Sequence, residues 1–122
     1  MRRLISLSLA ATVTMGAVGL AAAASPLSGA FGNTIISTYP DGRIARLWLH
    51  DNGSYDAKGR RDDPSSGRWS LKGSKVCLKQ LKPFSAPLSF CTPYGAAKVG
   101  ASWKGKAVTG EAISIRLVKG QG

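Results

Sequence analysis

Few residues of this chain have the side chains and spacing that covalent or metal chemistry needs. His50 is the sole histidine, and the six acids lie mostly in predicted turns. A metal site would therefore have to rely on scattered carboxylates, which is not the usual zinc ligand set. No serine stands in a nucleophile context such as G-x-S-x-G. We predict no catalytic residues, no metal site and no cofactor, and hence a protein that is not an enzyme.

One stretch approaches a phosphate-binding loop without meeting its requirements. Gly100, Gly105 and Lys106 have the P-loop spacing, but Ala107 stands where a serine or threonine would hold magnesium. The strand, loop and helix that the motif needs are also missing from the local pattern. We therefore interpret Lys104 and Lys106 as outward residues of a strand.

The two cysteines, Cys77 and Cys91, are predicted to form a disulfide. Their number is even, and the chain carries a predicted export signal, described below, that would bring it to an oxidising compartment. Closing a loop of this length stabilises a domain by about 3 kcal/mol in the chain-entropy description. A redox-active pair is disfavoured because the spacing is not C-x-x-C.

Basic residues dominate the charge of the chain. The 17 lysines and arginines outnumber six acids, and removal of Arg2 and Arg3 with the predicted signal would leave a net charge of +9. Such a charge attracts polyanions over long range, although it also serves solubility. The candidate anion-binding residues, all predicted to face outward, are Arg46, Arg68, Lys72, Lys75, Lys79, Lys104, Lys106 and Arg116.

A second candidate feature lies in the strand predicted over 43–50. Alternation places Ala45, Leu47 and Leu49 on one face, so Trp48 and His50 share the other face with Arg46. An exposed aromatic ring flanked by cationic groups could stack on a sugar or a base. The alternative is that this strand is buried on both faces or that Trp48 covers the end of the fold.

The N-terminal sequence predicts the cellular location of the protein. Arg2 and Arg3 precede an apolar run that ends in small alanines, which is the pattern of a cleaved secretory signal. We predict a signal peptide over 1–24 and a single β domain over 25–122, periplasmic or secreted, with no transmembrane segment after cleavage. An uncleaved membrane anchor is the less favoured alternative, because the run ends in small residues.

Short runs rich in β-branched and aromatic residues, separated by glycine-containing turns, predict strands throughout the remaining chain. Pro40-Asp41-Gly42 and Asn52-Gly53 are typical of tight turns between antiparallel strands. The longest polar break, 59–66, is predicted to be a loop. The predicted strands cover 34–39, 43–50, 54–58, 68–72, 75–80, 87–92, 102–108 and 112–119.

Alternation within these strands assigns one apolar face to each. Ile113, Ile115 and Leu117 share a face, and the same parity turns both cysteines outward while their apolar neighbours, Leu88 among them, point inward. Eight short strands that each have one apolar face shield those faces from water best when the sheet closes on itself. We predict an all-β fold, a small antiparallel meander closing into a barrel with one disulfide, with a β-sandwich as the alternative.

The chain resembles small exported proteins of Gram-negative bacteria whose function is unassigned. The resemblance rests on segments including Tyr39-Pro40-Asp41-Gly42, the stretch 67–73 and Val76-Cys77-Leu78, and it implies a periplasmic or secreted location but no activity. Gly67 and Trp69 also look like the G-x-W motif of lipocalins and avidins, whose barrels hold small apolar ligands. In lipocalins that motif opens the first strand, whereas here it lies in the middle of the chain.

Three functional hypotheses follow. The first is a non-enzymatic β-module, expected to be a monomer without specific nucleic-acid binding, that binds an anionic component of the cell envelope through its basic surface. The second is an inhibitor of an envelope enzyme that acts through the loop 59–66. The third is a barrel that binds a small ligand in a cavity lined by Trp69, Phe90 and Trp103.

Overall fold

The computed structural model describes residues 25–121, so the predicted signal peptide over 1–24 lies outside the described residues. A short 3-10 helix over Ser28–Ala30 precedes the first strand. The strands are β1 (Thr34–Thr38), β2 (Ile44–Leu49), β3 (Ser54–Lys58), β4 (Pro64–Lys72), β5 (Lys75–Lys82), β6 (Phe90–Pro93), β7 (Ser102–Lys106) and β8 (Ala112–Val118).

The eight strands form one antiparallel sheet that closes almost completely into a barrel. Its order is β6-β5-β4-β3-β2-β1-β8-β7, so consecutive strands pair from β1 to β6, β7 pairs with β8, and β8 returns to β1. The edge strands β6 and β7 contact each other along a seam, where the Trp103 indole N–H donates to the carbonyl oxygen of Pro93 at 3.2 Å. The predicted meander barrel is thus confirmed, and its single continuous sheet replaces the sandwich alternative.

The turns and faces follow the sequence pattern closely. Gly42 and Gly53 have positive φ values of 86° and 88°, as the predicted tight turns require. Along β8, Ile113, Ile115 and Leu117 are buried while the residues between them are exposed. The barrel interior is therefore built from the alternate residues that the sequence assigned to it.

Two predicted boundaries are wrong by three residues or more, and the others differ by at most two. β6 begins at Phe90 rather than near Pro87, and Leu88 is 80% exposed in the preceding loop rather than inside. β4 begins at Pro64, so the predicted loop 59–66 is only a turn over 59–63, in which the Gly59 N–H donates to the Asp63 carbonyl. In both places local composition was misleading because the pairing partner determines where a strand begins.

The two cysteines lie directly opposite each other on β5 and β6 and form the predicted disulfide. Their inward neighbours Val76 and Leu78 confirm that both sulfur atoms leave the outer face. The bond therefore fixes β6, a strand of four residues at the edge of the sheet.

The barrel has a closed end and an open end. The closed end carries the turns 50–53 and 73–74, the segment 94–101 and the N-terminal segment 25–33. Leu27 and Ala30 of that segment are each 1% exposed and belong to the core cluster. A Cβ atom at Gly29 would collide with the carbonyl oxygen of Ala97, so only glycine lets the two segments pack this closely.

The open end carries the turns 39–43, 59–63 and 107–111 and the loop 83–89. The described N-terminal segment does not cover these turns, because it packs at the opposite end.

Candidate binding surfaces

All eight predicted anion-binding residues lie on the outer face of the barrel. Their Cα partners are outward residues on the neighbouring strands, and the side chains alternate with the interior positions. The ion pairs within the described residues involve His50 and Arg60 as the cationic partners and none of the eight. The sequence therefore predicted the face of each residue correctly, while the anion-binding role stays a prediction.

Four of these residues are concentrated on β4 and β5. Arg68 is the cross-strand partner of Lys79, and Lys72 is the partner of Lys75. Neither strand contains an aspartate or a glutamate. Like charges directly opposite each other destabilise a sheet, so this arrangement has no benefit for the fold itself.

Lys82 extends the same surface, and the sequence prediction missed it. Lys79 and Lys82 are three residues apart, so simple alternation would put them on opposite faces. A β-bulge at Ser66 and Gly67 makes Lys82 the partner of the outward Ser66, which returns Lys82 to the outer face. We call Arg68, Lys72, Lys75, Lys79 and Lys82 the basic face.

A shallow groove lies on the outer surface beside this bulge. Arg68 and Lys82 line it, together with Asp56 and Leu81. A Cβ atom at Gly67 would collide with the carbonyl oxygen of Lys79, so the bulge geometry depends on glycine at that position. The basic face thus includes one concave site between two cationic side chains.

The other predicted basic residues lie elsewhere on the wall. Arg46 and Arg116 both pair with Ile36 and so stand on either side of β1. Lys104 and Lys106 lie on β7, which confirms the interpretation of that segment as a strand. The sequence-predicted set is therefore divided between separate parts of the barrel wall.

Trp48 and His50 lie on the outer side of the barrel, and both are half-buried. The Trp48 indole N–H donates to Thr34 Oγ1 at 2.9 Å, and His50 Nε2 lies 2.8 Å from Asp56 Oδ2. Asp56 is also the cross-strand partner of Trp48. A carboxylate beside the ring opposes an approaching anion. Stacking of a sugar or a base on Trp48 stays a prediction.

Arg60 connects three turns at the open end, which the sequence did not indicate. Its guanidinium donates two hydrogen bonds to the Glu111 carboxylate, at 2.8 and 3.3 Å, and one to Asp41 at 3.5 Å. It also lies over the Tyr39 ring, 4.2 Å from the centroid. The acids nearest to Arg60 in sequence, Asp62 and Asp63, take no part in these ion pairs.

This cluster shifts the pKa values of two of its members, Glu111 and Arg60. Hydrogen bonds from Thr109 and then from Arg60 hold the pKa of Glu111 below its ordinary value, and the hydrogen bond to Glu111 raises the pKa of Arg60. Both groups are therefore charged throughout the physiological range. The cluster ties the turns 39–43, 59–63 and 107–111 together, and the inhibitory role of the segment 59–66 stays a prediction.

An apolar cavity of about 210 Å³ lies inside the barrel. Its lining reaches the open-end residues Tyr39, Gly59 and Val108, so the cavity is accessible from that end. Small inward residues leave this space unfilled. They are Ser37, Ala45, Ala57, Ser65 and Gly105.

Two of the three predicted cavity residues line this space. Phe90 and Trp103 do so, but Trp69 does not. The Trp69 indole N–H donates to the His50 carbonyl at 2.7 Å, and its ring lies 5.7 Å from that of Phe31 at the closed end. Trp69 therefore helps to seal the barrel rather than to line a binding site.

Thr92 is a polar group in the wall of this cavity. Its Oγ1 is buried and has no hydrogen-bond partner within the described part of the chain. The adjacent seam position is Gly105, where an added Cβ would lie 3.3 Å from this oxygen. A buried hydroxyl without a partner is costly, so Thr92 offers a hydrogen bond to whatever occupies the cavity.

Among residues 25–121, no group of three or more His, Cys, Asp or Glu side chains is arranged to hold a metal ion. No helix within that same range is long and apolar enough to span a bilayer. Comparisons with protein-family models, with curated proteins and with solved structures gave no match for this chain.

Proposed function

We propose that this protein is an exported, non-enzymatic β-module that binds an anionic component of the cell envelope through its basic face. The observation that supports this proposal is the ladder of like charges on β4 and β5, in which Arg68 opposes Lys79 and Lys72 opposes Lys75. A polyanion bearing phosphate, carboxylate or sulfate groups would relieve the repulsion within that ladder.

Lys82 extends this surface at the bulge, and because the Asp56 carboxylate also lines the groove there, the ladder rather than the groove offers the purely cationic contacts. Several adjacent cations on two rigid strands can contact successive charges of a polymer or a headgroup layer at the same time. Binding of this kind depends strongly on ionic strength, because exposed charges are screened over about 10 Å at moderate salt.

The test compares two triple variants with the same change in net charge. Lys72→Glu/Lys75→Glu/Lys79→Glu reverses the basic face, and Lys104→Glu/Lys106→Glu/Arg116→Glu reverses charges on β7 and β8. Binding to dextran sulfate, measured by titration at low salt, should weaken by about tenfold or more in the first variant relative to the second, since each factor of ten corresponds to about 1.4 kcal/mol.

Increasing salt should also abolish binding by the unmodified protein. Equal weakening in the two variants would show that only the total charge matters and would contradict the assignment to the basic face. Binding that ignores ionic strength would contradict the proposal itself.

The cavity supports a second candidate function, binding of a small apolar ligand. A protein cavity of about 150 Å³ is large enough to hold benzene, so about 210 Å³ accommodates a substituted ring. The unpaired Thr92 hydroxyl would favour a ligand that carries one hydrogen-bonding group.

Ala57→Leu tests this candidate because Ala57 points into the cavity, and Ala112→Leu is the control because Ala112 is exposed on the outer face. Titration with phenol, followed by the amide resonances of Thr92 and Gly105, should show binding in the unmodified protein and in the control. Loss of binding in Ala57→Leu is expected. Phenol that shifts neither resonance, or that binds equally to both variants, would contradict the cavity assignment.

A further inference from the structure

The open end exposes large apolar side chains, of which Val108 borders the cavity and Leu81 borders the groove beside the bulge. Phe84 is 64% exposed, Leu88 80% and Val108 77%. Leu81, at the end of β5, is 43% exposed. Scattered exposed apolar residues are ordinary, but a group of them at one place on a small domain marks a contact surface.

The loop 83–89 displays its apolar residues from a fixed backbone. The Ala86 N–H donates to the Gln80 carbonyl at 3.0 Å, and the Gln80 side-chain amide donates to the Phe84 carbonyl at 3.2 Å. The loop is therefore hydrogen-bonded to β5 while Phe84 and Leu88 point into solvent. It contains no charged residue between Pro83 and Ser89.

Val108 lies in the same part of the open end as the loop 83–89. The loop 83–89 leads into β6, the turn 107–111 follows β7, and these two strands adjoin along the seam. Backbone hydrogen bonds between Ala107 and Glu111 and between Gly110 and Ala107 close the turn and leave Val108 at its tip. We call Phe84, Leu88 and Val108 the apolar rim.

Cationic residues stand directly beside the apolar rim. Lys82 immediately precedes the loop 83–89, and Lys106 ends β7 just before the turn 107–111. Neither lysine takes part in the ion pairs that the described residues form. Of the acids at the open end, three lie in the other two turns, and the Glu111 carboxylate is bound by Arg60. The rim thus combines exposed apolar side chains with positive charge.

We propose that the apolar rim docks on a phospholipid bilayer that contains anionic headgroups. Phe84, Leu88 and Val108 enter the interface between headgroups and acyl chains, while Lys82 and Lys106 contact the headgroup phosphates. A bilayer offers anionic charge and apolar depth within one surface, whereas a soluble polysaccharide offers only the charge. This inference rests on the proposed preference for an anionic partner and specifies that partner.

The experiment measures co-sedimentation of the purified protein with phosphatidylcholine vesicles that contain phosphatidylglycerol. Phe84→Ser/Leu88→Ser removes the loop anchors. Leu71→Ser/Val99→Ser is the matched control, because Leu71 and Val99 are exposed apolar residues at the closed end. The rim variant should lose about tenfold or more in vesicle partitioning, since two large apolar side chains no longer leave water, and the control should bind as the unmodified protein does.

Phe84→Trp provides a second measurement that does not remove an anchor. Relative to the unmodified protein, which contains Trp48, Trp69 and Trp103, the variant's fluorescence should shift further to shorter wavelength on binding and be quenched more by brominated acyl chains. Near-ultraviolet circular dichroism establishes that each variant is folded. Rim-variant binding equal to that of the unmodified protein, or fluorescence of the Phe84→Trp variant that vesicles leave unchanged, would overturn the inference.

Dextran sulfate separates this inference from the proposed function. The rim variant should bind dextran sulfate as the unmodified protein does, because the basic face is intact. Binding of dextran sulfate without any binding to anionic vesicles would overturn the bilayer inference alone. Failure of the unmodified protein to bind either probe would overturn both.

Discussion

The closed and open ends of this barrel are made by the same eight strands but contain side chains of very different size. Toward the closed end the inward positions hold Leu49, Tyr55, Trp69 and Leu117. Leu27 of the N-terminal segment packs among the buried residues there. These large side chains belong to the core cluster or pack against it, and their role is to stabilise the fold.

Toward the open end β1 to β4 and β7 present small inward residues, whereas Phe90 of β6 and Ile113 of β8 are large. On β2 the inward residue changes from Leu49 to Ala45, and on β3 it changes from Tyr55 to Ala57. The cavity exists because of this gradient, and the turns that surround it are held by the Arg60 cluster instead of an apolar plug. The closed end therefore stabilises the fold, while the open end keeps its interior and its apolar side chains accessible.

The largest expected effect on stability comes from the N-terminal segment 25–33, which packs against the core at the closed end. Leu27→Ala should lower the free energy of unfolding by about 2 to 5 kcal/mol, because it removes a buried side chain and leaves a cavity. Urea denaturation followed by circular dichroism measures this change. A loss below about 1 kcal/mol would show that the N-terminal segment is not part of the core.

The disulfide is expected to have the next largest effect, and it acts on the strand next to the open-end loop. Cys77→Ala/Cys91→Ala should cost about 3 kcal/mol, the value expected for a closed loop of this length. Hydrogen exchange should accelerate first in β6 and in the loop 83–89. Unchanged exchange in those segments would contradict the view that the disulfide fixes the edge strand.

Glu111→Gln tests whether charge holds the open-end turns together. The folded-state pKa of Glu111 lies below its ordinary value of 4.5, so its carboxylate stabilises the fold above that pH. This contribution is lost as the pH falls from there through the folded-state pKa. The unmodified protein should therefore be the more stable of the two at neutral pH, with the difference disappearing in acid. A difference that is the same at every pH would contradict this role.

Leu88→Ala should have the smallest effect, although it is the same chemical change as Leu27→Ala. Leu88 is largely exposed in the loop 83–89, so its truncation should alter the free energy of unfolding by no more than about 0.5 kcal/mol. Urea denaturation of both variants in one experiment makes the contrast direct. Similar losses for the two leucines would remove the distinction between the ends.

Much of the fold was predictable because its determinants are local. Alternation and glycine-containing turns predicted all eight strands, and the parity around Cys77 predicted that both sulfur atoms lie outside. The errors occurred at the ends of strands, because the pairing with the neighbouring strand determines where a strand begins. Leu88 follows an alternating pattern, but the β5–β6 ladder extends only from Phe90 to Pro93.

The candidate sites were less predictable for the same reason. The outward position of Lys82 depends on a bulge that requires the close approach of Gly67 to the Lys79 carbonyl. The Arg60 cluster joins residues from three turns that are distant in sequence. The cavity results from small residues on several strands that become neighbours only when the register is known.

The binding surface is tested most directly by mapping the contact of dextran sulfate on the protein by amide chemical shifts at low and high salt. We expect the largest shifts on β4 and β5, around Arg68, Lys72 and Lys79, and we expect salt to remove them. Shifts centred on β8 and β1, around Arg116 and Ile36, or spread evenly over the barrel would contradict the assignment of the binding surface to the basic face.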